Sequence, residues 1–62
     1  KATEFMGQYE IDATNKHVYG LVVEGELVFN GKELKESDAF VIIDEKISLL
    51  TKGTGHILYF IQ

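Results

Sequence analysis

His17, Tyr19 and Glu24 are the side chains of this 62-residue chain whose types and spacing bear on chemistry. They fall in the stretch HVYGLVVEGELVFNGKEL, residues 17–34. Alternate residues on a strand point the same way, so His17 and Tyr19 share a face, and a carboxylate farther along can close a set of donors. A catalytic iron, copper or manganese takes about three to four such donors and keeps a position open for substrate. This stretch offers one imidazole and one carboxylate, since a neutral phenol is a poor ligand at neutral pH. His17, Tyr19 and Glu24 therefore stand as candidates for lining a ligand pocket. No residue is assigned as catalytic, cofactor-binding or metal-ligating.

Positioning them requires strands. Apolar residues come in short β-branched and aromatic clusters separated by glycine, asparagine and aspartate, and helical periodicity is absent. The expected strands are Glu4 to Glu10, Val18 to Glu24, Glu26 to Phe29, Lys32 to Lys35, Ala39 to Ile43, Lys46 to Thr51 and His56 to Ile61, which make a small antiparallel sandwich or barrel. Asn30-Gly31 is the favoured pair for a type I′ hairpin turn, because both positions need positive φ. A two-residue loop there pairs Phe29 with Lys32, Val28 with Glu33, Leu27 with Leu34 and Glu26 with Lys35, and puts Leu27, Phe29 and Leu34 on the core face. Gly25 marks a bend or bulge. The segments FVII and ILYFI are apolar at successive positions, which predicts burial on both faces, inside a sandwich or against another chain. Gly53-Thr54-Gly55 reads as a flexible turn, with TKGTGH as a hairpin tip and His56 as a solvated surface residue beside it.

Composition narrows the setting. A domain of this length buries only about 60% of the surface its unfolded chain exposes, so its stability margin is slim. With no cysteine it has neither a disulfide staple nor a thiolate zinc site. Association is the remaining staple, with a copy of itself or with the rest of a longer protein. The absence of cysteine also fits a reducing, cytoplasmic compartment. Six basic residues against ten acidic ones give a net charge of −4 without a basic cluster, which argues against nucleic acid as a partner. Apolar runs of four or five residues are too short for a membrane span. Asp38, Asp44 and Glu45 lack the spacing of a calcium loop, and Ser37 and Ser48 lack a partnered histidine.

The motif spacing carries a resemblance. His17-Val-Tyr19, four residues, Glu24, six residues and Gly31 resemble the first motif of the cupin superfamily, His-x-His, three or four residues, Glu, six residues, Gly. Tyr19 stands where the second histidine belongs. The second motif's histidine and proline are missing from SDAFVIIDEKIS, and Ser37-Asp38 stands where Gly-Asp is usual. From His17 onward the chain resembles the C-terminal cupin domain of pirin-like proteins, the two-cupin family that includes quercetin dioxygenases. The resemblance implies one cupin-like (jelly-roll) domain over residues 1–62, possibly truncated. It also implies that iron or another transition metal belongs to the N-terminal cupin and that this chain carries no cofactor. Its role would then be structural or oligomeric, packing against that N-terminal cupin or a second copy. The alternatives are a free-standing small cupin binding a small molecule or metal around His17, Tyr19 and Glu24, or an interaction module that exchanges strands between copies.

Overall fold

The computed structural model describes all 62 residues and contains only strands, turns and loops. Six strands form: β1 (Ala2–Asp12), β2 (His17–Glu24), β3 (Leu27–Phe29), β4 (Lys32–Leu34), β5 (Ala39–Ile43) and β6 (Lys46–Ile61). All pair antiparallel in one sheet, curled into a half-barrel. The expected all-β, small cupin-like architecture is what the chain adopts. No helix is long and apolar enough to cross a membrane.

β6 is the spine. One edge pairs with β1 from Ala2↔Leu58 to Asp12↔Lys46. The other edge pairs with β3 at Leu50 and Thr51 and with β2 from His56 to Ile61. β5 then adds to β2, and β4 adds to β3 through the Asn30-Gly31 turn. Asn30 and Gly31 have φ of 50° and 77°, as a type I′ turn demands, and the register is Phe29↔Lys32, Val28↔Glu33, Leu27↔Leu34 as expected. The ladder stops short of Glu26 and Lys35.

The chain differs from expectation at its longest strand. The two segments Lys46 to Thr51 and His56 to Ile61 are one continuous strand, and residues 53–55 are not a turn. Met6 pairs with Thr54 and Phe5 with Gly55, so β1 holds this stretch extended. Gly55 is there for space: a Cβ on it would stand 2.7 Å from Leu27 Cδ2 and 3.2 Å from the Phe5 ring.

The concave face holds the core, built from Ile11, Val18, Val22, Leu27, Phe29, Phe40, Ile42, Ile47, Leu49, Ile57 and Tyr59 together with Ala13. Phe5, Tyr9 and Leu34 pack against its margin. Alternation places Val18 and Val22 of β2, Phe40 and Ile42 of β5, and Ile57 and Tyr59 of β6 inward. The turn at residues 35–38 docks on β2 through Ser37 N–H donating to Val22 O (2.8 Å) and Val22 N–H donating to Asp38 O (2.9 Å). Lys35 N–H donates to Asp38 Oδ2 at 2.8 Å. Ser37, with φ 75°, takes up the left-handed conformation that the usual glycine would adopt without strain.

Candidate functional site

Parity on β2 decides where the motif residues point. Val18 and Val22 are both 0% exposed on the concave side, so His17, Tyr19 and Leu21 face outward. His17 is exposed at the strand's start, its backbone exchanging hydrogen bonds with Gln62 at 3.0 and 2.7 Å. Its ring stands edge-on to Tyr19 with centroids 6.4 Å apart. Tyr19 stacks on Phe60 across the strand pair, at 5.3 Å and 25° between planes. Glu24 ends the same strand, roughly 23 Å along it from His17 at about 3.3 Å per residue. The structure brings His17 and Tyr19 together and leaves Glu24 apart from both.

The concave side next to β2 is lined by Val18, Val22, Phe40, Ile42 and Ile57, and no charged side chain is buried anywhere in the chain. The transition metal associated with cupin motifs does not fit this lining, which supplies no imidazole or carboxylate. Its polar feature is the pair of hydroxyls of Tyr9 and Tyr59, 2.7 Å apart. Burial of Tyr59, reinforced by that hydrogen bond, pushes its phenol up to about 12. At neutral pH Tyr59 is uncharged and the pair serves packing, with Phe5 stacked on Tyr9 at 5.2 Å.

Glu24 has other company. A β-bulge between Val22 and Glu24 adds one residue to β2 against β6. Simple alternation from Val22 would aim Glu24 inward, and the bulge returns it to the outer face, opposite His56. On the other side of β6, Glu4 of β1 is also registered opposite His56. One ligand atom from each of Glu4, Glu24 and His56 lies within 4.8 Å of the others. His56 is not a turn residue: it lies inside β6, half-buried, between two carboxylates. Sequence reasoning missed this group because its members come from three strands joined only by the long course of β6.

Next to this polar row the outer face is apolar. Leu21, Val41, Ile43, Leu58 and Phe60 are large and between 39% and 58% exposed. The registers Leu21↔Ala39 and Leu21↔Leu58, then Tyr19↔Val41 and Tyr19↔Phe60, make them adjoining rows over β5, β2 and β6. A shallow groove of about 400 Å³ runs along Tyr19, Leu21, Leu58 and Phe60. FVII and ILYFI are thus covered on one face by this chain and open on the other, where two-sided burial was expected.

The model of the quercetinase C-terminal cupin domain matches residues 3–60 of the chain. No curated protein and no solved structure matches it. With nearly its whole length inside that match, and with an all-β curled sheet to accompany it, the chain belongs to the quercetinase C-terminal cupin domain family of pirin-like proteins.

Proposed function

We propose that this domain is the supporting cupin of a two-cupin protein, with no metal on its concave side where the cupin motif would place one, docked through the outer face of β2, β5 and β6 onto an N-terminal cupin that carries the chemistry. The supporting observation is the adjoining rows of exposed Leu21, Val41, Leu58 and Phe60. A contiguous apolar patch facing water is costly and marks a surface that another surface covers. The apolar lining of the concave side supports the same reading, as does the C-terminal position carried in the family description. In this reading Tyr19 is an anchor of the docking face, since its ring already lies flat against Phe60.

The test uses the full-length protein that contains this chain. Val41→Glu combined with Phe60→Glu places charges at the centre of the face and is expected to separate the two cupins, raising the radius of gyration and opening the junction to limited proteolysis. His17→Ala is expected to leave turnover unchanged. An unchanged shape and cleavage pattern in the charged variant, or turnover abolished by His17→Ala, overturns the proposal. The groove along Tyr19, Leu21, Leu58 and Phe60 supports a second reading, a free-standing domain that takes a flat apolar ligand beside Tyr19. Quenching of tyrosine fluorescence by such a ligand, lost in Tyr19→Ala, distinguishes it.

A further inference from the structure

We propose that Glu4, Glu24 and His56 form a binding site for one first-row divalent transition ion on the outer face of the sheet, with zinc as the ion that fits best. The site is separate from the motif strand's His17 and Tyr19 and from the concave side, so it stands whether or not the domain serves as a support.

His56 sits on the central strand with Glu4 directly opposite on one side and Glu24 directly opposite on the other. Directly opposed residues have Cβ atoms about 4.5 to 5.5 Å apart, which suits long side chains converging on one point above the strand between them. The donor atoms already lie within 4.8 Å of one another. Donors sharing a tetrahedral zinc ion at about 2.0 to 2.2 Å stand roughly 3.3 to 3.6 Å apart. Closing that gap is a movement of side chains alone, and both glutamates are exposed and free to make it.

The backbone beneath them is fixed. The bulge that turns Glu24 outward is followed at once by Gly25, whose φ of 98° and close approach to Thr54 lock the end of β2 against the residues leading into His56. A Cβ on Gly25 would stand 2.5 Å from Thr54 O, so no other residue fits there without moving a strand. Bulges beside functional groups re-aim a side chain in this way, and a rigid platform keeps ligand geometry from drifting.

None of the three side chains is engaged elsewhere. The chain's one ion pair is Lys46 with Glu10, at 3.8 Å on a distant part of β1 and β6. The side-chain hydrogen bonds are donated by Gln8, Thr14, Asn15, Lys35, Gly53 and one of the Tyr9–Tyr59 pair, and none reaches Glu4, Glu24 or His56. Two carboxylates thus flank an imidazole with no lysine to balance them, in a chain whose net charge is −4. One imidazole with two carboxylates is a nitrogen–oxygen set that suits zinc, cobalt or manganese, and it departs from the all-oxygen shells of calcium and magnesium. Water fills the remaining positions, because the site opens to solvent.

Titration of the chain with zinc, followed by calorimetry, and with cobalt, followed by visible absorption, tests the proposal. The expected result is one ion per chain and a raised unfolding temperature in zinc. His56→Ala should weaken binding by about a hundredfold or more, given that even the partners behind a ligand are worth roughly 10- to 100-fold. Glu4→Gln and Glu24→Gln should each weaken it by about tenfold. His17→Ala should leave it unchanged, and should His56→Ala fail to fold, His56→Gln, checked by circular dichroism, replaces it. Absence of saturable binding at about millimolar zinc identifies the group as ordinary cross-strand polar pairs and overturns the site, as does binding that survives loss of His56 or disappears with His17.

Discussion

The inner and outer faces of β2, β5 and β6 are composed of similar side chains with opposite fates. Inward, Val18, Val22, Ile42 and Ile57 are each 0% exposed. Outward, Leu21, Val41, Leu58 and Phe60, one residue along on the same strands, remain about half open to water. Side-chain chemistry does not separate the two sets. Curvature does, because a curled sheet can bring the residues of its concave face together and must splay those of its convex face. Closing the convex face takes a second body. The inner face is therefore where the domain's own stability resides, and the outer face keeps an apolar field open to water, with a carboxylate–imidazole–carboxylate row at its margin.

That contrast can be broken most directly with a neighbouring pair. Ile57→Ala leaves a cavity in the core and is expected to cost about 2 to 5 kcal/mol, enough to unfold much of so small a domain. Leu58→Ala, on the outer face, is expected to cost well under about 1 kcal/mol in the isolated chain. Urea unfolding of the two variants should give clearly different midpoints, and equal losses would mean that the outer face is already covered by the chain itself.

A smaller effect is expected where an inner aromatic ring lies over a glycine. Phe40 pairs across from Gly20, and a Cβ on Gly20 would stand 2.1 Å from Phe40 Cζ. Gly20→Ala should cost about 1 to 3 kcal/mol. Adding Phe40→Leu, which removes the ring from that space, should recover part of the loss, and strictly additive losses would show that the ring does not rest on the glycine.

Tyr59 sharpens the contrast through pH. Its phenol ionises at about 12 in the folded chain against an ordinary value of 10, so the folded state holds the proton more tightly. The stability this contributes is fully present below pH 10 and is lost as pH rises toward about 12. Tyr59→Phe is expected to cost about 0.5 to 1.5 kcal/mol at neutral pH, through the lost bond to Tyr9, and to flatten the alkaline decline. An unchanged decline in the variant would place the titrating group elsewhere. The smallest change is expected from Ser37→Gly, which relieves a left-handed serine at φ 75° while adding freedom to the unfolded chain. A net gain of less than about 1 kcal/mol in the unfolding midpoint is expected, and a loss would mean that the serine hydroxyl supports the turn.

Local features were legible in the sequence. Asn30-Gly31 announced its turn and register because two residues determine them, and the all-β class followed from short β-branched clusters. The facing of His17 and Tyr19 required knowing that Val18 is buried, which depends on how the whole sheet curls. β6 was hidden because Gly53-Thr54-Gly55 has the composition of a turn, whereas β1 pairs with it and Leu27 and Phe5 use the room above Gly55. Once that strand was divided, His56 fell at a tip and its companions Glu4 and Glu24, far away in the sequence, had no means of appearing beside it.

The spine strand also sets a timetable. Among these six strands β1 leaves the ribosome before the others and β6 after them, yet β1 has its only strand partner in β6, and β2 and β3 each need β6 for one edge. Until residues 46–61 have emerged, the earlier strands can assemble little beyond the Asn30-Gly31 hairpin and the β2–β5 pair. Pairings of such long separation close slowly. The nascent strands must therefore wait, with their apolar side chains uncovered, for residues 46–61, and a premature stop at the start of that segment would leave β1 without a neighbour.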